Sequence, residues 1–161
     1  MNKQEIMAEH TKLAAKELYG IIELNVEFPY HITSGFHVYG GECTYHKDKT
    51  IRFNGAIFKE DELDDWAWYI ILHELTHIKI LGHSEEFWAE LENNFEKTTG
   101  LRNRFYNEAG IDGDSYTDMD YYIYDDAPVI NSLNGEIEYD YENLDYEDEY
   151  FDTYSIFGET K

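Results

Sequence analysis

The stretch His73-Glu74-Leu75-Thr76-His77-Ile78-Lys79-Ile80-Leu81-Gly82-His83 (HELTHIKILGH) decides how the chain reads. It lies at the end of an apolar run, Trp66 to Leu72, and continues that run in helical spacing. Trp66, Trp68, Ile70, Ile71, Leu72, Leu75, Ile78, Ile80 and Leu81 cover nearly every face of such a helix, which predicts a central, buried one over roughly 62–81. Asp61 is placed to cap it, and the acidic residues at 62, 64 and 65 suit the positive end of its dipole. Gly82 is placed to end it in a left-handed turn.

Helix geometry turns this stretch into chemistry. Four steps of about 100° bring His77 back over His73, so both imidazoles face one way and can share a metal ion. Glu74 stands one step round the helix, where its carboxylate can reach a water activated by that metal. A catalytic zinc takes three protein ligands and keeps one position open. His83, just past Gly82, is the candidate third ligand. A single histidine on an apolar helix is usually a satisfied core residue, but three so placed would each need a partner inside an apolar setting. A structural zinc site would use four protein ligands, usually with cysteine, and the chain has one cysteine.

Outward from this stretch, residues 4–19 carry Ile6, Leu13, Ala14 and Leu18 at helical spacing, with Gly20 as the stop. Residues 21–28 alternate as a strand, with Ile22, Leu24, Val26 and Phe28 on one face, and Pro29 ends it. Residues 35–46 and 49–58 read as two more strands joined near Lys47-Asp48-Lys49. Ser84 caps a second helix with Phe87, Trp88, Leu91 and Phe95 as its apolar stripe, and Gly100 closes it. The fold class is therefore α+β: an N-terminal helix, a small antiparallel or mixed sheet of three or four strands, the HExxH helix and a helix behind it.

After about residue 111 the composition changes. Residues 112–161 hold sixteen acidic side chains, one basic side chain (Lys161) and many tyrosines. Asn134-Gly135, between Val129-Ile130 and Ile137-Tyr139, signals a type I′ hairpin. The expected division is 1–111 as the domain and 112–161 as an acidic, Tyr-rich extension, a hairpin plus a partly flexible tail. The run 112–120 resembles a calcium loop only superficially, because Tyr116 and Thr117 stand where such a loop needs Asp or Asn and then Gly.

Formal net charge is −23. A surface of that sign repels phosphate backbones and anionic membranes, which disfavours direct nucleic-acid binding and favours basic or neutral partners. The lone cysteine, Cys43, excludes an intramolecular disulfide and reads as a small buried side chain. The N-terminus has no signal-peptide core and no stretch reaches membrane-spanning length, so the expectation is a soluble, cytoplasmic protein.

HELTH, five residues, His, then Ser-Glu-Glu-Phe-Trp resembles the SprT-like, WLM and YgjP-type zinc metallopeptidases. Gly41-Glu42-Cys43 and Ile51-Arg52-Phe53-Asn54 match the turn and strand that precede the active-site helix in that group. The resemblance spans roughly residues 5–108. It implies a zincin-like minimal protease domain, zinc on His73, His77 and His83, Glu74 as the catalytic acid/base, and a protein or peptide substrate lying along strand 51–54. The true metzincins are less similar, since they place glycine where this chain has Ile80. The expected activity is zinc-dependent endopeptidase. The alternative is an acidic interaction or inhibitor protein, a possible nucleic-acid mimic on a metallopeptidase-like scaffold, with the tail binding a basic protein. Tyr106, His37 and a tail tyrosine are candidates for the oxyanion donor. His31, His37 and His46 otherwise read as strand surface, and Asn54 as a polar group near the cleft.

Overall fold

The computed structural model describes residues 1–30, 32–34, 37–112, 128–130 and 137–139, giving the backbone alone for 33–34, 37–38 and the last two segments. Helix α1 (Lys3–Tyr19) opens with a reciprocal cap: Asn2 accepts from the Glu5 N–H and Glu5 accepts from the Asn2 N–H. Gly20 closes it at φ 67° and donates to the Lys16 carbonyl, as its position predicts.

The sheet is mixed and three-stranded, in the order β1 (Asn25–Glu27), β5 (Thr50–Phe53), β4 (Gly41–Cys43). β1 runs parallel to β5 with Val26 opposite Ile51, and β4 runs antiparallel to it with Gly41 opposite Phe53. Between them lie a two-residue pair, β2 (Thr33–Ser34) with β3 (His37–Val38), and the short helix α2 (Tyr45–Asp48). On β5, Ile51 and Phe53 point into the core and Arg52 outward, where it bridges Glu27, Glu42 and Asp48. The predicted strands are thus much shorter. Residues 21–28 pair only at 25–27, with Ile22 87% exposed, because Ile21 still donates to the Ala15 carbonyl of the preceding helix. Strand 51–54 was expected to offer an edge to the substrate, but β5 is the central strand and β1 and β4 are the edges.

α3 (Trp66–Lys79) is buried along most of its length, as its apolar composition requires. It begins later than predicted. Asp61 does not cap it; Asp64 accepts from the Trp66 N–H at 3.1 Å. Residues 54–65 are held instead as an anchored loop. Asn54 accepts from the Ala56 N–H and donates to the Tyr39 carbonyl, and the Lys3 N–H reaches the Glu60 carbonyl. The other end also differs. Ile80 is extended at φ −130° and ψ 116°, and among the described residues only Gly20, Gly110 and Lys49 have positive φ, so Gly82 makes no left-handed cap.

α4 (Glu85–Lys97) starts where expected, with the Phe87 N–H donating to Ser84 Oγ at 3.2 Å. Gly100 does not end the helical region. The chain breaks at Thr98 and resumes as α5 (Thr99–Ala109), closed by Gly110 at φ 71°. α5 exists because Phe105, Tyr106 and Ala109 bury against α1 and α3, with Phe105 at 5.5 Å from Trp68. In the extension, β6 (Pro128–Ile130) and β7 (Ile137–Tyr139) pair antiparallel with Ile130 opposite Ile137. The turn at Asn134-Gly135, the 113–120 run and His31 lie outside the described residues. Among the described residues no helix is long and apolar enough to cross a membrane.

Candidate metal centre

The i,i+4 spacing on α3 does what helix geometry demands. The rings of His73 and His77 lie on one side of the helix and meet edge-on, with centroids 4.9 Å apart. His83 comes from the loop 80–84, which doubles back between α3 and α4. Its Nε2 lies 3.0 Å from His77 Nε2 and 3.0 Å from His73 Nε2. One donor nitrogen from each ring lies within 4.8 Å of the other two.

Proton accounting shows what this arrangement asks for. A neutral imidazole carries one N–H and one lone pair. His77 Nδ1 donates to the Ile80 carbonyl at 3.0 Å, so His77 Nε2 presents its lone pair to the other rings. His83 Nε2 cannot serve two such nitrogens at 3.0 Å with one hydrogen. A cation at the point of convergence satisfies all three lone pairs at once. Nitrogens around a tetrahedral zinc at 2.0–2.1 Å stand about 3.3 Å apart, close to the observed spacing. An all-imidazole donor set suits zinc and its neighbours in the first transition row, not calcium or magnesium.

The electrostatics agree. Burial, then the charges of His77 and His83, holds His73 well below the usual imidazole range, and burial, then His83, does the same for His77. Both rings therefore stay neutral and ready to ligate at neutral pH. His77 is buried, while His73 and His83 are half-buried, which leaves the centre a solvent-facing side.

Glu74 is 5% exposed and lies under β4. A Cβ at Gly41 would come within 3.0 Å of both Glu74 Cγ and Oε2, and one at Gly40 would meet the Trp66 ring at 2.7 Å. The glycine pair lets the edge strand settle directly on α3, over the carboxylate. Cys43, on the same strand, is half-buried, and burial first, with Glu74 contributing, pushes its thiol up, so it offers no ready thiolate.

Other candidates fall elsewhere. The Tyr106 hydroxyl donates to the Asp65 carbonyl at 3.2 Å, more than two helical turns before His73. His46 is not on a strand surface: it sits on α2, and its Nε2 donates to the Ile78 carbonyl at 2.6 Å, tying α2 to the last turn of α3. The His37 side chain and the tail tyrosines lie outside the described residues. Asn54 is fully buried as a turn-former between β5 and the loop. Gly41 entered the sequence reading only through the family resemblance, as part of a turn. His10 was not singled out, since it gives its signal only as a histidine on an amphipathic helix. His10 is wholly buried between α1 and α5, with Nε2 at 2.9 Å from Glu108 Oε1.

Comparison with known proteins adds one finding. Residues 39–107 match the family model described as YgjP-like, metallopeptidase domain. No curated protein and no solved structure matches the chain. The matched span runs from the approach to β4 into α5 and holds Gly41, Glu74 and all three converging imidazoles, so this part of the chain is similar to a YgjP-like metallopeptidase domain, the group that the HExxH-x5-H resemblance named.

Proposed function

We propose that the chain is a zinc-dependent endopeptidase in which His73, His77 and His83 hold the metal and Glu74 is the general base. The observation that carries this reading is the pair of 3.0 Å contacts that His83 Nε2 makes with the other two Nε2 atoms, an arrangement that a shared cation satisfies and imidazoles alone do not. Zinc at that point supplies a Lewis acid, polarising a peptide carbonyl and lowering the pKa of water. Glu74 accepts a proton from the attacking water and returns it to the leaving amine. The Ile80 carbonyl holds His77 in the tautomer that ligates through Nε2. The β4 edge above Glu74 suits an extended substrate laid alongside it as an added strand.

Residues 1–111 form the peptidase domain in this reading, since α1 packs against both α3 and α5. Residues 112–161 are an acidic extension. Outside them the chain still carries nineteen acidic against eleven basic side chains. The acidity of the extension supports a basic protein partner.

The test is metal content together with Glu74→Gln. Wild type is expected to hold one zinc per chain and cleave unfolded proteins. The variant is expected to keep the zinc and lose about 10²- to 10⁴-fold in rate. Equal cleavage by both, or cleavage by neither, overturns the peptidase reading and favours a binding role.

A further inference from the structure

The three imidazoles do not reach their common point by the same means. His77 is aimed by α3 itself and by its hydrogen bond to the Ile80 carbonyl. His83 sits on a surface loop of irregular backbone, next to Leu81, which is 64% exposed. A ligand on such a loop needs something rigid to hold its ring. The structure supplies it in the first turn of α4.

Phe87 is fully buried and touches every one of the three rings. It stacks on His77 at 4.5 Å and 27°, and meets His83 edge-on at 4.8 Å and His73 at 5.1 Å. Trp88 stacks on His83 at 5.5 Å and 21° and meets His73 edge-on at 6.1 Å. The two aromatics also pack on each other at 5.0 Å and 86°. Their place is fixed by the start of α4, where Ser84 Oγ accepts from the Phe87 N–H. Planar rings in stacked and edge-on contact restrict an imidazole's two torsions much as a hydrogen bond to its far nitrogen does.

We propose that Phe87 and Trp88 are positioning residues that preorganise the metal centre, Phe87 as the common floor of all three imidazoles and Trp88 as the plate that fixes His83. This rests on the zinc-peptidase reading, because it assigns these rings a task toward a metal on His73, His77 and His83. It goes beyond that reading in assigning metal affinity and geometry to residues that do not ligate. The consequence is that the third ligand is already aimed when the ion arrives.

The test uses the full chain, zinc affinity by chelator competition, and the visible absorption of the cobalt-substituted protein, which reports coordination geometry. Phe87→Leu keeps most of the core volume, and Trp88→Ala alters a half-buried site, so both variants are suited to fold. Each is expected to weaken zinc by about tenfold or more and to change the cobalt spectrum. Trp88→Phe, which keeps a ring over His83, is expected to restore both. Leu91→Ala, on the same helix and fully buried, is the control: it should lower thermal stability while leaving affinity and spectrum at wild-type values. Unchanged affinity and spectrum in Phe87→Leu and Trp88→Ala would overturn the proposal, as would an equal loss in Leu91→Ala. Absence of zinc from the wild type would overturn the peptidase reading as well, and so is told apart from failure of the positioning role alone.

Discussion

Two buried groups of histidines stand in this small domain, and they do opposite things. His10 is wholly enclosed between α1 and α5, and its Nε2 meets the Glu108 carboxylate at 2.9 Å. Glu108 is in turn bonded to Arg104, and these two partners hold its carboxyl below the usual range. There the ring's Nε2 is engaged by a carboxylate that a guanidinium holds in turn, while its buried Nδ1 has no partner among the described residues. His83 instead brings its Nε2 to 3.0 Å from those of both His73 and His77, with burial and mutual repulsion keeping His73 and His77 neutral. A buried histidine is thus no signal by itself. What separates the candidate ligands from the core histidine is whether a ring N–H donates to a carboxylate or several ring nitrogens converge on one point.

The comparison breaks most sharply by mutation. His77→Ala is expected to abolish stoichiometric zinc binding, measured as metal content after dialysis, because two imidazoles remain where three are needed. His10→Ala should leave one zinc per chain. If both variants lose metal alike, the distinction between the two groups fails. Acid is the next largest effect. Ligand imidazoles must be neutral, so protons compete with metal and zinc is retained above the imidazole range and lost below it. Because His73 and His77 are held below their ordinary value of about 6.5, release should be complete only well under that pH. Zinc fully retained at pH 4 would count against an all-imidazole site.

Gly41→Ala sharpens the comparison within the candidate metal centre, separating the proposed base from the proposed ligands. A Cβ there meets the Glu74 carboxylate at 3.0 Å, so either the carboxylate or β4 must shift. Zinc should remain while the peptide-cleavage rate falls by up to about 100-fold, the scale of a displaced catalytic group. A fall in zinc content matching the fall in rate would show that Gly41 serves the ligands instead. The smallest functional effect belongs to His10→Ala. It should cost about 2–4 kcal/mol in denaturant unfolding, from the cavity and the lost bond to Glu108, with cleavage by the remaining folded protein unchanged.

How much of this was legible beforehand differs by residue. His73, Glu74 and His77 were readable because helix periodicity alone fixes their relative directions. Ser84 and Gly20 were readable because capping needs only the local chain. The start of α3 was misplaced because an acidic run at 60–65 looks like a first helical turn, whereas bonds to α1 and to Tyr39 hold its approach as loop. α5 was missed because Gly100 reads as a stop, and only burial of Phe105 and Tyr106 makes a further helix worthwhile.

The sequence by itself determined a central apolar helix with two imidazoles and a carboxylate at set angles, because those relations are confined to a single helical turn. It also marked His83 as a candidate by distance along the chain. The tertiary structure alone decided that His83 turns inward, that β4 and not strand 51–54 is the edge over Glu74, and that Phe87 lies against all three rings. These depend on how separate elements pack, and packing is set by long-range burial that no local spacing encodes.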